Sequence, residues 1–148
     1  MTTNAEPLTV AVELKTVIDD NGQMEYNTVN ETGQFYRKNN LDVIKYEETD
    51  DNGSPVKNLI TIQPEKVNVK RLGALTMNQQ FRMKETTENI LKHPYGNIHM
   101  ETFTETMEYR SITDTHEGQL ELGYSVKMNG QDPRRHQLTL TIKKEVTQ

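Results

Sequence analysis

The chain has 148 residues, enough for one domain, with 32% hydrophobic residues, 8 glycines, no cysteine and a net charge of −5. The missing cysteine excludes disulfides, thiolate nucleophiles, cysteine zinc sites and iron–sulfur ligation, and the acidic balance gives no counterion-release drive toward nucleic acid. Met1 to Pro7 has no basic run and Glu13 interrupts the first apolar stretch, so a cytoplasmic protein without a membrane span is expected.

Leu8–Asp19 opens the structured part. Leu8, Val10, Val12, Leu14 and Ile18 recur at every second position, with Thr16 the single break. Side chains alternate across a strand, so this period means a sheet with one dry and one wet face. Asp19-Asp20-Asn21-Gly22 follows, an Asn-Gly pair suited to the positive φ of a type I′ hairpin. Strands are predicted at Gln23–Asn30 and Phe35–Arg37, separated by a turn at Glu31-Thr32-Gly33. A switch in apolar parity between Tyr26 and Val29 suggests a bulge before that turn. Asp42–Glu48 and Asn58–Gln63 flank a second Asn-Gly turn, Asp50-Asp51-Asn52-Gly53. Lys66–Arg71 and Met77–Lys84 come next.

Glu85–His93 is the one helical candidate, limited to about one turn because Ile90 and Leu91 give little apolar stripe. Asn97–Ile112 is read as a long strand, with a bulge between Met100 and Phe103 where the apolar parity flips. After a turn at His116-Glu117-Gly118, Gln119–Met128 and His136–Val146 restore strict alternation around Asn129-Gly130. About ten strands joined by short turns pair antiparallel with their neighbours. One apolar face is hidden by closure or by stacking two sheets. A single antiparallel up-and-down β-barrel over residues 1–148 is expected, with a sandwich as the second choice.

Certain residues in order carry a family likeness: Tyr46-Glu47-Glu48, Arg71-x-Gly73 followed by Met77 and Phe81, His93-Pro94-Tyr95-Gly96, and Leu120-x-Leu122-x-Tyr124 after Gly118. The chain resembles the small bacterial YwiB-like proteins over nearly its whole length. The resemblance implies a calycin-type, lipocalin-like barrel with no assigned biochemical role. The lipocalin Gly-x-Trp signature is absent, since the chain has no Trp.

Arg71 is the side chain of greatest interest. It shares parity with Val67 and Val69, so alternation turns it inward, where it must find a carboxylate, carbonyls or an anion. Glu48, in phase with Ile44 and Tyr46, is the candidate partner. Three readings stand together: an Arg–Glu pair closing one end of the barrel, Arg71 with Tyr46 receiving an anionic ligand head group, or a strand that ends before Arg71 and lets its side chain reach water. Met77, Gln79, Phe81 and Met83 share one face, and Gln79, its polar member, is expected to bond Arg71 or water. Core packing explains this face as well as a ligand wall does. Tyr124 is expected inside, and Tyr95 is a candidate plug for the barrel mouth.

His93, His99 and Glu101 have no spacing that gathers a metal set, so no metal or cofactor is expected. Ser54, Ser111 and Ser125 lack a nucleophile elbow and no phosphate cradle appears, so the chain does not read as an enzyme. The expected function is a non-catalytic barrel binding a small amphipathic or anionic molecule. The alternative is a structural or interaction module, monomer or homodimer, acting through an outer patch drawn from Val17, Val29, Tyr36 and Phe103.

Overall fold

Among the described residues ten strands follow one another without a helix: β1 Leu8–Asp20, β2 Gln23–Lys38, β3 Leu41–Thr49, β4 Pro55–Gln63, β5 Lys66–Leu72, β6 Met77–Arg82, β7 Thr86–His93, β8 Gly96–Arg110, β9 Glu117–Met128 and β10 Arg134–Lys144. They come from a computed structural model, which describes residues 7–145. Val146, placed in the last strand by its sequence, lies outside the described residues, as do residues 1–6. Among the described residues no helix is long and apolar enough to cross a membrane.

The sheet order is β6-β5-β4-β3-β2-β1-β10-β9-β8-β7, antiparallel throughout. Every strand therefore lies beside its neighbour in sequence, and β1 meets β10, the arrangement of an up-and-down barrel. The wall closes at a seam between β6 and β7. Thr76 and Lys92 exchange two backbone bonds at one end of it, and Lys84 donates to the Thr104 carbonyl at 2.8 Å at the other. In the middle, Thr87 Oγ1 donates to the Gln80 carbonyl at 2.6 Å.

The dry face fills the barrel. Val10, Val12, Ile44, Ile60, Ile62, Val67, Phe81, Leu120, Leu122, Leu140 and Ile142 are all essentially buried and belong to one cluster. They are the alternating positions of their strands, so the periodicity of the sequence and the lining of the barrel are the same fact.

Five sequence expectations change. Gln23–Asn30 and Phe35–Arg37 are one strand, because Gly33 makes no turn. It is buried in β2, where an added Cβ would lie 2.5 Å from the Lys45 carbonyl oxygen and 3.0 Å from Val12 Cγ2. Glycine is there for close approach of β2 to β3. The β1–β2 register runs unbroken, so the parity switch at Tyr26 is no bulge; Tyr26 faces solvent. The segment read as a helical turn forms β7, Thr86–His93, with Thr87, Asn89, Leu91 and His93 the less exposed face. These two errors, one strand split and one missed, leave the count at ten.

The β8 bulge is real but lies between Thr104 and Thr106. Thr102 and Thr104 occupy the lining, and Phe103 is on the outer face. Gly118 likewise belongs to β9, the turn being residues 111–116. Asn21-Gly22 and Asn129-Gly130 have positive φ at both residues, as type I′ geometry requires, whereas in the third pair only Gly53 does.

Candidate functional site

Antiparallel register places Tyr46, Asn58, Arg71 and Met77 on one rung across β3, β4, β5 and β6. Strict alternation from Val67 and Val69 brings Arg71 to the lining, as its parity predicted, but at the last turn of the barrel. Its guanidinium reaches Glu48, one step further along β3, with Nη2 donating to Oε1 at 2.5 Å. The Arg71 side chain is 43% exposed and that of Glu48 17%, so the pair forms a rim open to water on one side. Arg71 Nε and Asn58 Nδ2 are buried without hydrogen-bond partners. Tyr46 is buried beside them. Burial raises its phenol to about 12, and the nearby Glu48 charge adds to the shift.

A cavity of about 210 Å³ opens at this mouth, lined by Val56, Leu75, Met77 and Leu91 with Arg71 and Asp50. Its walls come from β4, β5, β6, β7 and the loop before β6, so it sits where the seam meets the rim.

The opposite end is closed by a network that sequence reasoning missed. Asp42, at the start of β3, is 2% exposed. It accepts from Arg37 Nε at 2.6 Å and Nη2 at 3.2 Å, from the Tyr109 hydroxyl at 2.5 Å and from the Ser111 hydroxyl at 2.8 Å. Burial alone would raise the Asp42 carboxyl, but the hydrogen bonds from Arg37, Tyr109 and Ser111 outweigh it and hold it below its ordinary value. Ile112 is buried in the same turn, whose neighbour Ser111 also pairs with Thr113. The signal was available: Asp42 shares parity with Ile44 and Tyr46, and Arg37 with Phe35.

Between the ends the interior carries a few polar groups. Gln79 donates to Thr102 Oγ1 at 2.8 Å, across the seam to β8, so its partner is neither Arg71 nor solvent. Tyr124 is inside, edge-on to Phe81 at 4.7 Å between centroids and stacked on His136 at 5.0 Å. Burial, with the Arg134 charge as a smaller cause, lowers the His136 imidazole to about 4, and its Nε2 lacks a partner.

Two further expectations are corrected. Tyr95 is 94% exposed on the β7–β8 turn and plugs nothing. Met83 lies just past β6, where it is 41% exposed and no longer lines the barrel. Cross-strand register also gathers Glu88, His99 and Glu101 on the outside of the β7–β8 hairpin, their ligating atoms within 4.8 Å of one another. Linear spacing hid this group, and His93 is not in it.

The family model described as "Domain of unknown function (DUF1934)" matches residues 12–140. The "Uncharacterized beta-barrel protein YwiB" of Bacillus subtilis (strain 168) is 29% identical over 132 residues, which cover 89% of this chain and 91% of that protein. The crystal structure of the ywiB protein from Bacillus subtilis superposes with a TM-score of 0.84 at 26% identity, over 97% of this chain and 96% of that one.

Proposed function

The chain belongs to the DUF1934 family, and from the barrel it shares with YwiB we propose that it is a non-catalytic binding protein for a small amphipathic molecule, held at the Arg71 mouth. The observation that carries this reading is an apolar cavity bordered by a buried, unpartnered Arg71 Nε. Buried side chains packed in one cluster line the barrel interior, which favours the rim over the centre that the sequence suggested. At about 210 Å³ the cavity is smaller than the roughly 300–1,000 Å³ of drug-sized sites, so the apolar body has only a few carbons.

Charge narrows the head group. Arg71 is outnumbered by Glu48 and Asp50 at the mouth, so a neutral hydrogen-bond acceptor fits better than a carboxylate. A cytoplasmic setting belongs to the same proposal. The outer-patch alternative has less support: Val17 pairs with Tyr26, ten residues from Tyr36 on β2, Phe103 is on β8, and Val29 packs against the core cluster.

Saturation-transfer NMR with butanol, hexanol and octanol tests the reading. Transfer to wild type with a chain-length optimum, abolished by Met77→Trp filling the cavity, is expected. Equal transfer to both proteins, or none to wild type, overturns it.

A further inference from the structure

We propose a second binding site on the outer wall of β3–β5, for a small organic polyanion with an apolar body. A groove of about 720 Å³ runs there, a volume typical of small-molecule sites. Register builds it. Lys45, Leu59 and Lys70 are directly paired across β3, β4 and β5, while Glu47, Lys57 and Leu72 make the adjacent outward rung. Neighbouring strands lie about 4.8 Å apart, so Lys45 and Lys70 stand about 10 Å apart at the backbone, with Lys57 completing a triangle.

Among the described residues none of Lys45, Lys57 and Lys70 makes an ion pair, and Glu47 is the one carboxylate lining the groove. Lys45 is held at 5.4 Å from the Tyr36 ring centroid. On a chain of net charge −5, three lysines against one carboxylate on adjacent strands form a local reversal of sign. The floor between them is apolar: Leu59 is half-buried and Leu72 is 43% exposed.

Rigid strands therefore present three point charges around a small greasy floor, a match for an aromatic or aliphatic body bearing two or more negative charges. The patch is confined to a few strands, too small for a nucleic-acid track or a standard protein interface of about 800 Å² per partner.

The dianionic dye bis-ANS is the probe. Fluorescence titration is expected to show saturable binding that weakens with added salt. K45Q/K57Q/K70Q, exposed positions whose substitution leaves the melting temperature unchanged, is expected to bind at least tenfold more weakly. Met77→Trp is expected to bind as wild type does, which separates this site from the mouth cavity. Undiminished binding by the triple variant, or loss in Met77→Trp alone, overturns the assignment. So does displacement of the dye by oligoglutamate but not by sodium triphosphate, which would assign the groove to an acidic chain.

Discussion

Replacing Asp42 with Asn tests whether the Arg37–Tyr109–Ser111 network holds the closed end together. The Asp42 side chain is 3% exposed and accepts four hydrogen bonds from three residues. Hydrogen bonds to a charged group contribute about 1.5–3 kcal/mol each, and a buried hydroxyl stripped of its acceptor costs about 1–3 kcal/mol. Those figures do not add here. Arg37 is 42% exposed and can turn to water, Ser111 keeps Thr113, and the amide retains one acceptor oxygen. A net loss of about 2–4 kcal/mol results, a large share of the roughly 5–15 kcal/mol of a typical domain. At about 2–4 °C per kcal/mol for a chain near this size, the melting temperature falls by roughly 5–15 °C. Circular dichroism melts at pH 7 measure it. Because the folded-state carboxyl is held low, its stabilisation is full above the ordinary aspartate value and lost as pH falls through the folded one. The acid limb of the stability profile therefore flattens in Asp42→Asn. A variant melting within about 2 °C of wild type, with the same acid limb, refutes the argument.

His136→Phe keeps a ring stacked on Tyr124 and removes the titration. Lowering of the imidazole to about 4 makes the wild type lose stability as pH falls from the ordinary histidine value toward 4, by about 2 kcal/mol after allowance for partial exposure. Melts at pH 7 and pH 5 should diverge for wild type and coincide for the variant. Gly33→Ala pushes a Cβ into the Lys45 carbonyl, a backbone atom that cannot step aside, so a loss of about 1–3 kcal/mol is expected in urea unfolding. Gln79→Leu strands the Thr102 hydroxyl and costs about 1–3 kcal/mol, whereas the double variant Gln79→Leu/Thr102→Val recovers most of it; equal midpoints for the two would show that the bond does not matter.

Legibility of this barrel in its sequence depended on how uniform each inward face is. β1, β9 and β10 line the core with aliphatic residues at nearly every inward position, so period two stood out. β7 shows the core Thr87, Asn89, Leu91 and His93, and a strand whose dry side is that mixed leaves no alternation to read. Gly33 and Gly118 looked like turns because glycine serves both positive φ and close packing, and only the neighbouring strand decides which. Parity found Arg71 and Glu48 because both lie among apolar partners on the same phase. The same rule applied to Asp42 and Arg37 would have found the other end. What no single strand contains is register, and the lysine groove and the Glu88–His99–Glu101 group exist only through it.

Each end of the barrel holds an arginine against a carboxylate, yet the two are not equivalent. At the Asp42 end Arg37, Tyr109 and Ser111 all donate to the carboxylate, and Ile112 beside Ser111 is buried in the core cluster. Buried polar groups satisfied in this way have nothing left to offer a ligand; they fix geometry. At the Arg71 end one guanidinium nitrogen serves Glu48, while the Nε of Arg71, a residue that borders the apolar hollow, is left without an acceptor. A buried donor without a partner costs about 1–3 kcal/mol, and an acceptor brought to it recovers that free energy on binding. The difference in hydrogen-bond satisfaction, more than the shared ion-pair chemistry, is what makes one end a lid and the other a mouth.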